Sequence, residues 1–449
     1  MGRLFGTDGV RGIANKELTA SLAFKLGQAG AKVLTKNTDG APKIIIGKDT
    51  RISGDMLEAS LIAGFCSVGA KVYRAGVVPT PAIAYLIKKY KMDAGVVISA
   101  SHNPMEYNGI KFFSNEGYKL SDSLENEIEK YILDGREIGE LPTGCGVGDV
   151  FEEENAQDDY VEYIKSTVDG NFKGMKIAVD CANGAAYRCA QKLFGLMEAD
   201  AVFINDNPDG CNINADCGST HLDGLCNLVK NGDFDLGLAF DGDADRLLAV
   251  DENGCVVDGD KIMAVCAKEL KENGKLKKNT IVATVMSNLG FFNALDECKI
   301  NYEQTTVGDR YVLENMLENG YCIGGEQSGH IIFLDYNTTG DGLMTAVRLT
   351  SALRNSGKKM SEMSSFVKIL PQVLVNAQIS NENKNTYMKD EVIADAIAEI
   401  ESKFEGNGRV LIRPSGTEPL VRVMIEGADL DILKEEAESL AKLIEQRLG

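Results

Sequence analysis

This sequence of 449 residues is short of positive charge, because 67 acidic residues face only 47 basic ones and the net charge is −20. Such an acidic chain argues against a nucleic-acid or anionic-membrane partner. An anionic small molecule would therefore need basic residues that are concentrated at one place in the fold. Long uncharged apolar runs are also lacking, so no membrane span is predicted. No signal peptide is expected at the amino terminus.

The sequence also lacks closely spaced pairs of cysteines. The eleven cysteines are odd in number and include no Cys-x-x-Cys pair, which disfavours both a disulfide framework and a structural zinc site. We expect buried thiols in a reducing cytoplasm. Apolar residues make up 44% and charged residues 25%, which is typical of a globular protein, and the length predicts three or four domains.

Strands and helices alternate along most of the chain, which is the βαβ signature of parallel sheets. The last part differs, since its pattern predicts a smaller α+β domain with an antiparallel sheet. An acidic segment that contains glycines, residues 135–154, is the first predicted linker. The predicted fold class is therefore α/β, with domains at residues 1–150, 151–255, 256–368 and 369–449.

Residues 98–104 (Ile-Ser-Ala-Ser-His-Asn-Pro) end an apolar run rich in β-branched residues. The run predicts a buried parallel strand with a loop at its carboxyl end, where open α/β sheets bind ligands. Ser101 is therefore a candidate nucleophile or phosphate carrier, although a serine in a turn often serves only the turn. Lys111 lies on the next predicted strand and is a candidate for phosphate contact or proton transfer, the alternative being a solvated strand residue.

Residues 241–246 (Asp-Gly-Asp-Ala-Asp-Arg) carry three carboxylates at alternate positions after another apolar strand. Such carboxylates repel one another unless a cation neutralises them, and oxygen ligands suit Mg²⁺, Mn²⁺ or Ca²⁺. An EF-hand is disfavoured, because Arg246 stands where that loop needs glycine and the flanks are predicted strands. A solvated acidic turn is the alternative to a divalent-metal site. The predicted ligands are Asp241, Asp243 and Asp245.

Residues 324–330 (Gly-Gly-Glu-Gln-Ser-Gly-His) place Glu326, Ser328 and His330 at alternate positions. These side chains would point to one side of an extended segment and suit the hydroxyl or amino groups of a sugar. Burial in the core is the alternative for His330. Asp309 belongs to a further polar stretch just before a predicted helix.

Arginines accompany two other loops. Arg11 lies among three glycines in residues 6–12, and its guanidinium can hold an oxyanion, although a solvated loop is the alternative. Residues 413–419 and Arg422 offer guanidiniums, hydroxyls and backbone N–H groups that can hold a phosphate dianion, unless the loop is a coincidental polar turn. The candidate phosphate ligands are Arg413, Ser415, Gly416, Thr417 and Arg422.

These parts together suit phosphoryl transfer, in which catalysis is mostly positioning and charge neutralisation. A metal-bound phosphoserine could donate its phosphate to a sugar phosphate held by the Arg413 loop. The resulting bisphosphate could then return its other phosphate to Ser101, so that the net reaction is an isomerisation.

The whole chain resembles the α-D-phosphohexomutase family. Residues 99–104 are similar to its phosphoserine loop and residues 241–245 to its magnesium loop, which implies a phosphorylated Ser101 that adds an oxygen ligand. The sugar loop is matched at Glu326 and Ser328, and the phosphate loop is matched by the Arg413 loop.

The resemblance implies three related α/β domains with mixed, mainly parallel sheets and a smaller fourth domain, arranged as a heart around a central cleft. It also implies proton-transfer or electrostatic roles for Arg11, Lys111 and His330, and places Arg246 and Asp309 among the substrate-binding residues.

Residues 6–12 and 326–330 favour the bacterial glucosamine branch of the family. This branch implies an intramolecular phosphotransferase that interconverts glucosamine 6-phosphate and glucosamine 1-phosphate through a phosphoserine enzyme and a 1,6-bisphosphate. Its product leads to UDP-N-acetylglucosamine and cell-wall precursors. The implied cofactors are Mg²⁺ and an activator, glucosamine 1,6-bisphosphate or glucose 1,6-bisphosphate. The expected partner is a small-molecule sugar phosphate, and the protein is expected to be a cytoplasmic monomer or homodimer.

Three alternatives stay open. Phosphomannomutase or phosphoglucomutase specificity is the nearest one, since one loop discriminates an amino group from a hydroxyl only modestly. A phosphatase with Asp241 as the phosphorylated residue and a non-catalytic sugar-phosphate sensor are the other two alternatives.

Two residues add an ambiguity or a departure from the family pattern. Ser99 is a second hydroxyl that could carry the phosphate, and Tyr107 stands where many members of the family carry an acid.

Overall fold

The computed structural model describes the chain except for residues 1–2, 7, 37, 39, 381, 384–385, 405–407 and 415–418. It divides into two compact units. The first unit comprises residues 1–286 and 300–365, and the second comprises residues 287–299 and 366–449. Three of the four sheets lie in the first unit, and the fourth lies in the second.

The first sheet has six strands and four accompanying helices: β1 (Val10–Ile13), α1 (Ala20–Leu34), β2 (Lys43–Lys48), α2 (Ser53–Ser67), β3 (Lys71–Val77), α3 (Thr80–Tyr90), β4 (Ala94–Ile98), β5 (Tyr107–Ser114), α4 (Asp122–Ile132) and β6 (Val150–Glu152). The strand order is β1-β5-β4-β2-β3-β6. Strands β4, β2, β3 and β6 are parallel, whereas β5 is antiparallel to β1 and β4.

The second sheet has five strands, and the elements of this part are α5 (Ala156–Ser166), β7 (Lys176–Asp180), α6 (Ala186–Leu196), β8 (Asp200–Ile204), α7 (Asp223–Asn231), β9 (Leu236–Phe240), β10 (Leu247–Asp251) and β11 (Val256–Val257). The order is β11-β10-β9-β7-β8. Strand β7 is parallel to β8 and β9, and β10 is antiparallel to β9 and β11.

The third sheet has four strands, and the elements of this part are α8 (Gly259–Glu272), β12 (Thr280–Thr284), β13 (Asn301–Thr305), α10 (Asp309–Asn319), β14 (Ile323–Gly325), β15 (Ile331–Phe333), α11 (Gly342–Ser356) and α12 (Met360–Ser364). The order is β13-β12-β14-β15, with only β15 antiparallel to its neighbour. Helix α9 (Leu289–Glu297) belongs to the second unit.

One arrangement of four strands is repeated in all three sheets of the first unit. A central strand (β2, β7 or β12) has a parallel neighbour on each side, and one neighbour (β4, β9 or β14) pairs antiparallel with the strand that follows it in the chain. The loops that make these three antiparallel connections contain Ser101, Asp241 and Glu326. The predicted set of three related α/β domains is confirmed.

The second unit contains β16 (Gln372–Gln378), α13 (Glu391–Lys403), β17 (Arg409–Pro414), β18 (Leu420–Glu426) and α14 (Leu430–Leu448). Its sheet is antiparallel throughout, with β18 between β16 and β17. Alternate residues of β18, Val421, Val423 and Ile425, are buried in one apolar cluster with residues of α14, as the period of two in a strand requires. The predicted small α+β domain is confirmed.

Helices α1 and α2 pack closely in the first unit. Thr19 caps α1, since its hydroxyl accepts a hydrogen bond from the backbone N–H of Leu22 at 3.2 Å. Where the helices cross, a Cβ on Gly27 would lie 2.6 Å from the carbonyl oxygen of Leu61. The small residue at this position therefore allows the close approach.

Six strands were not predicted from the sequence. Three of them, β1, β11 and β15, have only two to four residues, too few for a pattern to be visible. The others are β6, β8 and β13. Strand β6 lies inside the predicted linker 135–154, yet it extends the first sheet by pairing with β3. All three of its residues are exposed, and no residue of the edge strands β8 and β13 is fully buried. An edge strand without a buried face has no alternation of apolar residues, which is why the pattern gave no signal.

None of the helices in the described part of the chain is long and apolar enough to cross a bilayer.

Candidate active site

Ser101 lies three residues after the end of β4 and is almost completely buried, with 1% of its surface exposed. Its φ of 51° is in the left-handed region, which a non-glycine residue adopts at a cost in free energy. The hydroxyl donates a hydrogen bond to Asp241 Oδ2 at 2.6 Å. A strained backbone therefore points the candidate phosphate carrier directly at the aspartate loop.

Ser99, the other candidate carrier, faces away from the aspartate loop. Its hydroxyl donates to Asp49 Oδ2 at 2.6 Å and accepts from the backbone N–H of Ser101 at 2.9 Å. Since both of these contacts engage the hydroxyl and Ser99 is fully buried, the geometry favours Ser101.

Asp241, Asp243 and Asp245 are all buried, and a carboxylate oxygen from each lies within 4.8 Å of the others. Asp243 Oδ2 accepts hydrogen bonds from Thr80 Oγ1 at 2.6 Å and Lys111 Nζ at 2.7 Å. The other oxygen of Asp243 and Oδ1 of Asp245 are buried without a hydrogen-bond donor among the described residues. Buried carboxylate oxygens left in this way fit a hard divalent cation.

The pKa shifts of the aspartate loop also indicate a site for a divalent cation. Burial, followed by repulsion from Asp245 and Asp243, raises the pKa of Asp241 well above its ordinary value. Burial acts in the same direction on Asp245, but His330 and Lys111 outweigh it and hold the pKa of that carboxyl below its ordinary value. A bound cation would let all three carboxylates ionise. The strands β9 and β10 that flank the loop exclude an EF-hand, which needs helices.

Asp8 is the centre of a group of charged side chains, of which Lys111 is buried and the others are partly exposed. It forms ion pairs with Arg11, with Lys111, whose Nζ lies 2.9 Å from Asp8 Oδ2, and with Lys119, whose Nζ lies 2.6 Å from Asp8 Oδ1. Lys119 also contacts Asp309 Oδ2 at 2.6 Å. Burial lowers the pKa of Lys111, but Asp243 and Asp8 outweigh that effect and raise it above the ordinary value. Lys111 therefore stays protonated.

Two histidines lie beside the aspartate loop. His330 Nε2 accepts a hydrogen bond from the backbone N–H of Gly340 at 3.1 Å, so the proton is on Nδ1, which lies 3.4 Å from Asp245 Oδ2. His102 Nδ1 lies 3.4 Å from Ser101 Oγ and 3.2 Å from Arg246 Nη1. Burial and the positive charge of Arg246 lower the pKa of His102 to about 4, so its imidazole is neutral near pH 7.

A cavity of about 470 Å³ opens at these loops, which is large enough for a sugar phosphate. It brings together seven of the residues that the sequence predicted. These are Arg11, Ser101, Asp245, Arg246, Asp309, Glu326 and His330. Lys111, Asp241 and Asp243 lie buried behind this lining.

The segment of residues 326–330 is a turn, so the prediction of an extended segment is wrong. The backbone N–H of Glu326 donates to the carbonyl of His330, and that of Gly329 donates to the carbonyl of Glu326, both at 3.0 Å. The turn joins the antiparallel strands β14 and β15, and Gly329 supplies a φ of 91°. Glu326 and His330 line the cavity, whereas Ser328 is exposed to solvent.

In the second unit, Arg413 on β17 is directly opposite Arg422 on β18. Guanidiniums at paired positions on neighbouring strands are close enough for both to contact one anion. The predicted phosphate ligands Ser415, Gly416 and Thr417 lie outside the described residues.

Four residues of the site escaped the sequence analysis. Asp8 and His102 belong to the recognised motifs 6–12 and 98–104, so they could have been chosen. Lys119 and Thr80 lie in no motif, and their partners are distant in the chain. Only the tertiary structure identifies these two.

Models of the phosphoglucomutase/phosphomannomutase family match four successive parts of the chain. The three alpha/beta/alpha domains I, II and III match residues 2–138, 158–254 and 258–369, and the C-terminal domain matches residues 374–443. The chain is 62% identical over 449 residues to a phosphoglucosamine mutase of Acetivibrio thermocellus, and 61% identical over 447 residues to one of Clostridium acetobutylicum. Each comparison covers 100% of both chains.

Solved structures show the same fold. A phosphoglucomutase/phosphomannomutase family protein from Burkholderia thailandensis is 25% identical, with a TM-score of 0.82 over 99% of this chain and 98% of that one. The N-acetylphosphoglucosamine mutase of Aspergillus fumigatus, in complex with GlcNAc-6P and magnesium, is 18% identical, with a TM-score of 0.71 over 99% and 96%. A variant of that fungal protein was solved with glucose 1,6-bisphosphate, and its TM-score is 0.67 over the same shares at 18% identity.

Proposed function

We propose, because the chain belongs to the phosphoglucomutase/phosphomannomutase family, that it interconverts glucosamine 6-phosphate and glucosamine 1-phosphate. The observation that carries the proposal is the Ser101 hydroxyl, held 2.6 Å from a buried aspartate at the edge of a cavity suited to a sugar phosphate. The full-length identity of about 60% to proteins named phosphoglucosamine mutase supports the choice of glucosamine. The enzyme is thus an intramolecular phosphotransferase.

In the proposed reaction, Ser101 carries a phosphate before each cycle. The free hydroxyl oxygen of the sugar phosphate attacks this phosphorus, the bond to Ser101 Oγ breaks, and the sugar becomes a 1,6-bisphosphate. The bisphosphate turns over, Ser101 Oγ attacks its other phosphorus, and the isomeric monophosphate leaves. The proton lost by the attacking hydroxyl is balanced by the one that joins the leaving oxygen.

The three residues proposed for this proton balance have different roles. Asp8 raises the pKa of Arg11 despite burial, and Asp243 and Asp8 do the same for Lys111, so both stay protonated and stabilise negative charge. His330 lines the cavity; burial lowers the pKa of its imidazole, but Asp245 and Asp309 outweigh that effect and raise it, and an imidazole can both take up and release a proton. We therefore assign the proton transfer to His330.

We further propose that Mg²⁺ is the cation of this site, held by an oxygen of phosphorylated Ser101 together with Asp241, Asp243 and Asp245. When bound, it would neutralise charge on the transferred phosphoryl group. The two carboxylate oxygens without a described donor support this assignment.

The remaining predicted residues complete the proposal. Glu326, Ser328, Asp309 and Arg246 would contact the sugar, and the Arg413 loop would bind the phosphate that is not transferred. The bisphosphate activator, a monomeric or homodimeric state and a cytoplasmic location are kept as proposals, as are the predicted domain boundaries. The acidic net charge of −20 supports the absence of a nucleic-acid or membrane partner.

The test combines peptide mass spectrometry with an assay of glucosamine 1-phosphate formed from glucosamine 6-phosphate, Mg²⁺ and glucose 1,6-bisphosphate. We expect an acid-stable phosphate on the Ser101 peptide. Ser101→Ala should lower kcat by about 10³-fold or more, because no carrier remains. The variant Ser99→Ala should keep the phosphopeptide.

Full activity of Ser101→Ala would refute the mechanism, and an acid-labile phosphate on Asp241 would indicate a phosphatase. Comparing kcat/KM for glucosamine 6-phosphate with the values for glucose and mannose 6-phosphates tests the specificity within the family. A higher value for either of the latter would reject glucosamine as the main substrate.

A further inference from the structure

Side-chain hydrogen bonds to its backbone carbonyls hold the Ser101 loop in place. The side chain of Arg51 is completely buried, and its Nε donates to Asp49 Oδ2 at 2.9 Å. Its terminal nitrogens donate to the carbonyl oxygens of Ser101 at 3.0 Å and Asn103 at 2.8 Å, and also to those of Pro104 and Tyr107. One planar guanidinium therefore spans the loop on the side of the first sheet.

A second side chain reaches the same carbonyls from the part of the chain that forms the second sheet. Asn214 Nδ2 donates to the carbonyl oxygen of Ser101 at 2.9 Å and to that of Asn103 at 3.1 Å. Asn214 is itself held by its backbone N–H, which donates to the carbonyl of Ala182 at 2.9 Å. Two donors from distant parts of the chain thus converge on the same two carbonyls.

The hydrogen bonds from Arg51 and Asn214 are made at the residue whose backbone is strained, Ser101. A left-handed φ at a non-glycine residue persists only where its surroundings enforce it. The aspartate loop also packs closely against the carbonyl of Ser101, since a Cβ on Gly242 would lie only 2.5 Å from that oxygen. The direction of the Ser101 hydroxyl toward Asp241 therefore depends on how this carbonyl is held.

We propose that Arg51 and Asn214 are positioning residues for phosphoryl transfer, which hold the carbonyls of Ser101 and Asn103 so that Ser101 Oγ faces the aspartate loop. The inference rests on the proposed function. Neither side chain lines the cavity, so their effect is on the geometry of the carrier and not on substrate binding. A displacement of about 1 Å at a reacting atom can cost about 10²-fold in rate.

The test uses two variants that remove these donors with little change in size. Arg51→Lys keeps the charge but loses the planar fork, and Asn214→Asp keeps the shape but sets a carboxylate against two carbonyls. Each should lower kcat by about 10- to 10³-fold, while KM for glucosamine 6-phosphate changes by less than about threefold.

Matched controls are present in the same parts of the chain. Arg74→Lys changes an arginine on β3. Arg74 forms ion pairs with Glu58 and Glu152, which do not belong to the Ser101 loop. Asn207→Asp introduces the same charge at an exposed position of the loop that contains Asn214. Both controls should keep kcat within about twofold of the unmodified enzyme.

A second readout separates positioning from folding. Each protein is phosphorylated with glucose 1,6-bisphosphate, and the loss of phosphate from Ser101 to water is followed by mass spectrometry beside the folded fraction from circular dichroism. We expect folded variants whose phosphoserine loss rate differs from that of the unmodified enzyme by at least threefold. An unchanged kcat, or a fall that the folded fraction fully explains, would overturn the inference. An unmodified enzyme without mutase activity would instead refute the proposed function, and the phosphoserine readout would still test the inference.

Discussion

Buried charges at the candidate active site neutralise one another in small groups of side chains. Lys111 is 1% exposed and lies between Asp8 and Asp243. Lys119 joins Asp8 to Asp309 in the same way. Removing one member of such a group leaves an uncompensated charge in a medium of low polarity, which costs more than the pair itself contributes.

The variant Lys111→Met should therefore destabilise the metal-free protein by about 3–5 kcal/mol. Urea denaturation in the presence of a chelator measures this loss. Added Mg²⁺ should restore part of the stability, because it would neutralise Asp243 in place of the lysine. Lys89→Met is the control, since Lys89 pairs with Asp159 while 35% exposed, and the expected cost is below about 1 kcal/mol. Equal losses for the two variants would contradict this account.

Glu125, in the first turn of α4, titrates abnormally. Burial raises the pKa of Glu125 to about 7; Arg310 opposes this shift and Asp122 adds to it. A carboxyl whose pKa is raised in the folded state contributes stability below its ordinary pKa of about 4.3, and that contribution is lost as the pH rises through 7.

The variant Glu125→Gln should therefore gain stability relative to the unmodified protein as the pH rises from 5 to 8, because glutamine resembles the protonated acid. Thermal unfolding at the two pH values measures the gain. Glu127→Gln removes the same charge from the same helix and is the control. An equal gain for both variants would exclude burial of Glu125 as the cause.

Among the strands, the same connection supplies the functional loops of the first unit. In each sheet the loop follows the third parallel strand (β4, β9 or β14) and leads into an antiparallel one. Such a connection is short, so it holds its side chains firmly at the carboxyl edge of the sheet. In the second unit Arg413 and Arg422, two of the predicted phosphate ligands, lie instead on the hairpin strands β17 and β18.

For that hairpin we predict that Arg413→Ala raises KM for glucosamine 6-phosphate and lowers kcat, each by about tenfold or more, because the phosphate loses an anchor that also positions the sugar. Steady-state kinetics measure both constants. Lys403→Ala removes a positive charge from α13 of the same unit, where Lys403 pairs with Glu436, and should leave both constants unchanged. Unchanged constants for Arg413→Ala would exclude its role as an anchor.

For the chain as a whole, the eleven cysteines are all unpaired, as expected, but not all are buried. Cys145, Cys211 and Cys255 are exposed. Burial raises the pKa of both Cys189 and Cys266 to about 12, so these thiols stay protonated near neutral pH.

Iodoacetamide should therefore modify the three exposed cysteines of the native protein and leave Cys189 and Cys266 intact until the chain is denatured. Peptide mass spectrometry before and after denaturation measures the difference. Rapid modification of Cys266 in the native state would show that the packing around α8 opens, and would contradict the description of this thiol as buried.

The sequence by itself determined the fold class and the Ser101 and Asp241 loops, because each of these two loops follows a strand whose apolar run is visible locally. Strand β4 is buried along its whole length, and Ser101 follows it; strand β9 is equally buried, and Asp241 follows it. The family resemblance rested on these same loops, and the family models confirm it over four domains.

Only the tertiary structure decided which side chains support these loops. Arg51 contacts carbonyls about 50 residues away, Asn214 contacts the Ser101 carbonyl across 113 positions, and Lys119 meets Asp309 across 190. Local patterns reflect a residue's own strand, helix or turn, whereas these contacts exist because separate sheets bring their loops to one place. Burial then fixes the charges and pKa values there, since both depend on distance through a medium of low polarity.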